Sequence, residues 1–328
     1  MTREITFTDW CCGVGGTRLA LEAGIRDAGF SPKCLLSADK DKYCQIAYKA
    51  NHGEEDMLGS PSTVQAEQVP SEHDIFSAGF PCQPFSLAGV SKKTSLGRAH
   101  GFEDPTSGTV VFELKRLIAG SRPRGVFLEN VKNLVSHDKG TTMKVILAAL
   151  RGIGYHVVAP RVFDAKLLLP QHRERVFIIA FREEEDFNRF QWPDLQDLRP
   201  RLRDILEPSV DPKYTLSDRL WASLQNHARK HREAGHGFGF GLADLDGVSR
   251  TLSARYYKDG SEILIPQEGN NPRRLTPREC ARLQGFPDSF KLAVSDTQAY
   301  KQFGNSVPVP LLAAVVKQIV LAMPEKLN

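Results

Sequence analysis

From residue 5 to residue 181 the chain repeats one unit, a short apolar run followed by an amphipathic stretch. This rhythm restricts it to a sheet with crossover helices. Apolar runs at 5–10, 34–38, 74–78, 125–128, 155–162 and 176–181 read as strands. Helical spacing at 17–23, where Leu19, Ala20 and Ala23 share a face, and again at 141–150 supplies connections between them. The rhythm stops after Phe181. Residues 182–271 carry more Pro, Gly and charge and read as a second, smaller domain. Regular structure resumes after Arg274, with a proline-started helix at Thr276-Pro277-Arg278-Glu279 and a last apolar helix near 311–321. The expected fold class is therefore α/β with a small second domain.

Bulk composition adds few limits. A chain of 328 residues, 41% hydrophobic and 25% charged, is an ordinary globular protein. No apolar run approaches the roughly 18 residues of a membrane span. The N-terminus, with Arg3 and Glu4, lacks the apolar core of a signal peptide, so a cytoplasmic protein with no membrane partner is the expectation. The cysteines are Cys11, Cys12, Cys34, Cys44, Cys82 and Cys280, none in a C-x-x-C pair or at zinc-finger spacing. Neither a metal site nor a disulfide framework is expected, and most of these cysteines read as small buried apolar residues. The net charge of +4 is unevenly spread. Lys92, Lys93, Arg98 and His100 fall in an acid-free stretch; His227, Arg229, Lys230, His231 and Arg232 form a second cluster, and Arg273, Arg274, Arg278 and Arg282 a third. Such clusters suit a phosphate backbone, with a solvated basic face as the alternative for each.

Four constellations sit where strands end. Asp9-Trp10-Cys11-Cys12-Gly13-Val14-Gly15-Gly16 closes the first strand and opens a helix, so its glycines permit close approach of a ligand and the helix start favours an anionic group. Asp39 ends the next strand, where an acid commonly binds ribose hydroxyls; any adenosine-containing cofactor fits, and so does a purely structural turn. Gly79-Phe80-Pro81-Cys82-Gln83-Pro84-Phe85-Ser86 follows a strand directly, and a cysteine held between prolines there is poorly placed for core packing and well placed as a nucleophile. Glu129, in Phe127-Leu128-Glu129-Asn130-Val131, is a ribose ligand, a general acid or a cap. In Gln171-His172-Arg173-Glu174-Arg175 the two arginines alternate into an apolar strand, so both guanidiniums can face one anionic or carbonyl-rich site, with an edge strand of solvated charges as the alternative.

Together these motifs resemble the DNA (cytosine-5) methyltransferase family, nearly end to end. Arg274-Leu275-Thr276-Pro277-Arg278-Glu279-Cys280 and Gln302-Phe303-Gly304-Asn305-Ser306-Val307 complete the series in order. Within the family the chain is similar to bacterial enzymes of the Dcm and HpaII type, in the loop from Ser86 to Lys93 and in the stretch from Arg250 to Gly260. The resemblance implies a Rossmann-like domain at 1–182 that binds S-adenosylmethionine and releases S-adenosylhomocysteine, a target-recognition domain at 183–272, and a C-terminal segment, 273–328, returning to the first. It implies cofactor contacts at Asp9, Cys11, Gly13, Gly15 and Gly16, at Asp39, Lys40 and Pro81, and at Asn305 and Ser306. Cys82 would attack cytosine C6 with Glu129 as the acid near N3, and Arg173 and Arg175 would hold the base oxygen or nearby backbone. The partner is double-stranded DNA with its target base flipped out, gripped by Ser86, Lys92, Lys93 and Arg98 and read by Arg255 and Tyr256. Enzymes similar in that stretch modify the inner cytosine of palindromes beginning CC and ending GG. A monomer, with a cognate restriction endonuclease as functional partner, completes the expectation.

The chain departs from the family pattern at the adenine pocket. Cys11 and Lys40 stand where aromatic residues are usual, and no acid falls cleanly between Asn51 and Pro70, where Ser60 and Asp56 are nearest. Trp10 is the candidate for the missing aromatic surface. Two rival readings are an RNA methyltransferase of the same architecture and a catalytically silent DNA-binding regulator.

Overall fold

The computed structural model describes residues 3–53, 57–81, 109–235 and 239–324. A mixed sheet contains β1 (Glu4–Trp10), β2 (Ser31–Ala38), β3 (Ile75–Gly79), β4 (Gly125–Val131), β5 (His156–Val157), β6 (Arg161–Asp164) and β7 (Glu174–Phe181). Its order is β2-β1-β3-β4-β7-β5, with β6 also on β7. The first four strands pair in parallel, whereas β7 runs antiparallel to β4, β5 and β6. The run 155–162 is thus two short strands rather than one. Pro160, which has no N–H to give a ladder, stands between them.

Alternate residues of each strand enter opposite layers. Phe177, Ile179 and Phe181 of β7 join Ile5, Phe7 and Phe127 on one side, while Val176, Ile178 and Ala180 join Trp10, Phe76 and Leu128 on the other. Helices α1 (Gly16–Asp27) and α2 (Lys42–His52) precede α3 (Thr109–Ser121) and α4 (Thr141–Arg151). Both sides of the sheet are therefore covered, which explains why β7 is apolar without alternation.

Beyond Phe181 the chain is more regular than its composition suggests. It forms α5 (Glu184–Arg189), α6 (Asp218–Glu233) and a hairpin of β8 (Leu264–Gln267) and β9 (Asn270–Arg274). Next come α7 (Pro277–Leu283), α8 (Asp296–Asn305) and α9 (Val309–Ala322). The Thr276-to-Glu279 capping box starts α7. Glu279, fully buried, also pairs with Arg273 of β9 through two hydrogen bonds and accepts the Glu207 N–H, so one carboxylate pins the hairpin to α7. The apolar α9 packs on α1 so closely that a Cβ at Gly24 would stand 2.5 Å from the Ala313 carbonyl. Among the described residues no single helix is long and apolar enough to cross a membrane.

One expected DNA reader is misplaced. Tyr256 is fully buried; its hydroxyl donates to the Ile263 carbonyl at 2.6 Å and accepts the Leu275 N–H at 2.8 Å. It staples the 250–260 segment to β9 and α7 and offers DNA nothing. Arg255, its neighbour, is exposed.

Candidate active site

The turn after β1 is built from left-handed residues at alternate positions, Cys11, Gly13 and Gly15, with φ of 53°, 56° and 93°. Its first anchor is Asp39, just past β2, whose carboxylate accepts the Gly13 N–H and the Asp41 N–H, each at 2.8 Å. Burial pushes that carboxyl up, and the two N–H groups pull it back. At Gly16 a Cβ would lie 2.6 Å from Ser306 Oγ, so only glycine lets the start of α1 meet the Ser306–Val307 turn. The first turn of α1 has neither a side-chain cap nor an acidic residue, which leaves its N–H groups for an anion.

A cavity of ≈ 410 Å³ opens at this edge of the sheet. Cys11, Gly13, Gly16, Asp39 and Lys40 line one part of it; Pro81, Glu129, Arg173 and Arg175 line another, and Asn305 and Ser306 also face it. Two expected cofactor contacts do not. Asp9 is fully buried outside the cavity lining, where its charge raises the Cys11 and Cys12 thiols. Gly15 packs on α2 instead, where a Cβ would meet His52 Nε2 at 2.5 Å. Trp10 also points away, stacked on Phe76 in the core with its indole N–H on Thr8 Oγ1. Ser60, Pro61, Tyr43 and Cys44 line the cavity in its place; Asp56 lies outside the described residues. Cys11 is pushed up to about 12, first by burial and then by Asp39 and Asp9, so it presents a neutral thiol.

The chemistry-bearing part begins where β3 and β4 lie side by side, with Gly79 opposite Glu129. A Cβ at Gly79 would be 3.7 Å from Glu129 Oε2, so the glycine leaves the carboxylate uncovered on that side. Asn130 Nδ2 donates to the Phe80 carbonyl at 2.8 Å and fixes the chain as it turns into Pro81. Cys82, Ser86, Lys92, Lys93 and Arg98 lie outside the described residues. Glu129 is buried and forms an ion pair with Arg175, Nε to Oε1 2.8 Å. Burial raises its carboxyl above the ordinary range, against the pull of Arg175 and then Arg173.

The two arginines do different work. Arg173 is fully buried, and its guanidinium donates to the carbonyls of Leu252 at 2.9 Å, Gly304 at 3.0 Å and Ser306. It ties the 250–260 segment to the Gly304–Ser306 turn and has no terminal nitrogen spare for a base oxygen. Arg175 alone pairs with the acid. Both still line the cavity, as their alternate positions predict; what separates them is that the carbonyls of Leu252, Gly304 and Ser306 claim Arg173.

Sequence reasoning missed one wall of the cavity. Gln298, Lys301 and Gln302 line it from α8 beside the expected Asn305, and the spacing of three, four and seven residues from Gln298 is the signal of a shared helix face. Gln302 also donates to the Tyr43 carbonyl at 2.8 Å, joining that face to α2.

The sequence profile of the C-5 cytosine-specific DNA methylases matches residues 5–321. The chain belongs to that family. It is 46% identical over 316 residues to the Type II methyltransferase M.NlaX of Neisseria lactamica, covering 96% of each chain. It is 38% identical over 339 residues to the Type II methyltransferase M.HpaII of Haemophilus parainfluenzae, covering 97% of this chain and 90% of that one. The Dnmt2 methyltransferase of S. pombe shares the fold, with a TM-score of 0.75 at 18% identity over 97% of this chain and 98% of that one. The methylase's cofactor is S-adenosylmethionine, and the cavity fits it. Asp39 keeps lone pairs for ribose hydroxyls beyond its two backbone bonds, and the uncapped start of α1 suits a carboxylate. The volume lies in the range of small-molecule sites.

Proposed function

We propose that this methylase modifies the inner cytosine of a CC…GG palindrome, CCGG, CCNGG or CCWGG, by covalent attack of Cys82 on C6 of a flipped-out base. The observation that carries the chemistry is Glu129, a buried acid paired with Arg175 and uncovered toward Gly79, on the strand beside the one that leads into Pro81 and Cys82. The Cys82 thiolate forms a bond to C6, and the C5–C6 π electrons move into the ring. Glu129, whose carboxyl is raised by burial, holds a proton at N3 and neutralises the charge that accumulates there. Arg175 keeps the acid oriented and presents positive charge to the same ring edge. Bound S-adenosylmethionine supplies an electrophilic methyl group for C5. Loss of the C5 proton then returns the C6–S electron pair to sulfur and frees Cys82. Arg173 serves as a positioning residue, because it fixes the Gly304–Ser306 turn at the cavity wall.

The target preference is supported by the stretch from Arg250 to Gly260, which resembles that of enzymes with CC…GG sites, and by the exposed Arg255 within it. Residues 183–272 act as the recognition part, and Ser86, Lys92, Lys93 and Arg98 grip phosphates beside the flipped base. The Type II methyltransferases among the relatives support a restriction–modification setting, in which a monomer protects sites from a cognate endonuclease. The deciding experiment supplies labelled cofactor with duplexes carrying CCGG, CCAGG or CCCGG and maps the product by bisulfite sequencing. Incorporation into none of them refutes the target, and transfer to tRNA but not to duplex DNA refutes the substrate. A duplex with 5-fluorocytosine at the modified position should trap a protein–DNA adduct. An identical adduct from Cys82→Ala refutes the nucleophile.

A further inference from the structure

We propose that His227 and His231 on α6 chelate one divalent transition-metal ion of the imidazole-preferring kind, such as Ni²⁺, Cu²⁺ or Zn²⁺. Residues four apart share one helix face. Here the two Nε2 atoms already meet at 3.2 Å, with ring centroids 4.5 Å apart and planes inclined at 65°. An ion about 2.0–2.1 Å from each nitrogen would see them at an angle of about 100°, between the cis angle of square or octahedral sites and the tetrahedral one. The pair therefore admits an ion by turning the rings, with no change in the helix. In its absence one ring donates its Nε2–H to the other; when the ion binds, that proton passes through water to Nδ1 of the same ring or to solvent, so both Nε2 lone pairs face the ion.

The setting selects the class of ion. Among the described residues no group of three or more His, Cys, Asp or Glu comes together, so the described donors are the two imidazoles. Hard ions such as Mg²⁺ and Ca²⁺ need oxygen donors and have none in this pair. Arg229, Lys230 and Arg232 are exposed on the same helix and oppose loosely attracted cations, leaving imidazole coordination as the binding force. Chelation is favoured further because α6 is a 16-residue helix capped by Ser217, so the donors are held before the ion arrives. Neither histidine lines the methylase cavity.

Calorimetric titration of the untagged full chain with NiCl₂ tests the site. Wild type should bind one equivalent that is lost in part in each single variant, with affinity falling about tenfold or more in His227→Ala and in His231→Ala. The double change His231→Ala with Arg232→His keeps the number of histidines but breaks the spacing, and should bind as weakly as His231→Ala. Circular dichroism confirms that each variant is folded, and the cysteines, common to all, cancel in the comparison. MgCl₂ should give no binding heat at this site. The proposal is overturned if wild type binds Ni²⁺ no more tightly than the single variants, or if the respaced variant matches wild type.

Discussion

Replacing Arg175 by methionine keeps most of the side-chain volume and removes the charge facing Glu129. The two side chains are 10% and 9% exposed, so the pair is nearly dry and the carboxylate left behind has little water to turn to. Breaking a buried pair from one side costs about 3–5 kcal/mol where the orphaned group must stay ionised. The loss must depend on pH, and its sign is fixed. Burial already holds the Glu129 carboxyl above its ordinary value, and Arg175 is first among the groups that lower it. Removing Arg175 therefore raises the folded value further. For a carboxyl raised on folding, stability is fully present below the unfolded value of about 4.3 and lost as pH climbs through the folded value. The deficit of Arg175→Met should accordingly be larger near pH 8 than near pH 5.5, where the variant's Glu129 more readily keeps its proton. Urea unfolding followed by tryptophan fluorescence at both pH values measures it. Adding Glu129→Gln should recover part of the loss near pH 8, since no charge is then stranded. An equal deficit at both pH values, or no recovery in the double variant, refutes the account of this pair.

Tyr256→Phe removes the hydroxyl that serves both the Ile263 carbonyl and the Leu275 N–H. It should cost about 1–3 kcal/mol in denaturant unfolding and leave duplex affinity unchanged. Weaker DNA binding at full stability would return Tyr256 to the DNA interface. Asp39→Asn leaves one side-chain oxygen for two N–H donors, those of Gly13 and Asp41, and turns an amide toward the other. Affinity for S-adenosylhomocysteine, read by calorimetry, should fall about tenfold or more, and an unchanged value would show that Asp39 only shapes the turn.

What could be read from the sequence was whatever depends on near neighbours. Strand positions followed from short apolar runs, and the opening of α7 from Thr276, Pro277 and Glu279 standing at capping-box spacing. The side of a residue that a distant segment claims could not be read in that way. Arg173 and Arg175 differ by two positions and in sequence look equivalent. Arg173 is claimed by the carbonyls of Leu252, Gly304 and Ser306, 79, 131 and 133 residues away, and those contacts decide that it braces the site while Arg175 faces the acid. Tyr256 sits among Arg255, Tyr257 and Lys258 and reads as surface, yet Ile263, Leu275 and Tyr300 bury it. The adenine pocket shows the same dependence. The turn needs a left-handed backbone at Cys11, Gly13 and Gly15, and it is held by the carboxylate of Asp39 through Gly13 rather than by the Cys11 side chain. A family aromatic can therefore give way to cysteine without the turn losing that anchor. The wall it leaves is made by Tyr43, Cys44, Ser60 and Pro61, contributed by α2 and by the segment beyond it. The polar anchors at the cavity, Asp39 and the uncapped start of α1, thus stand independently of the side chain at residue 11.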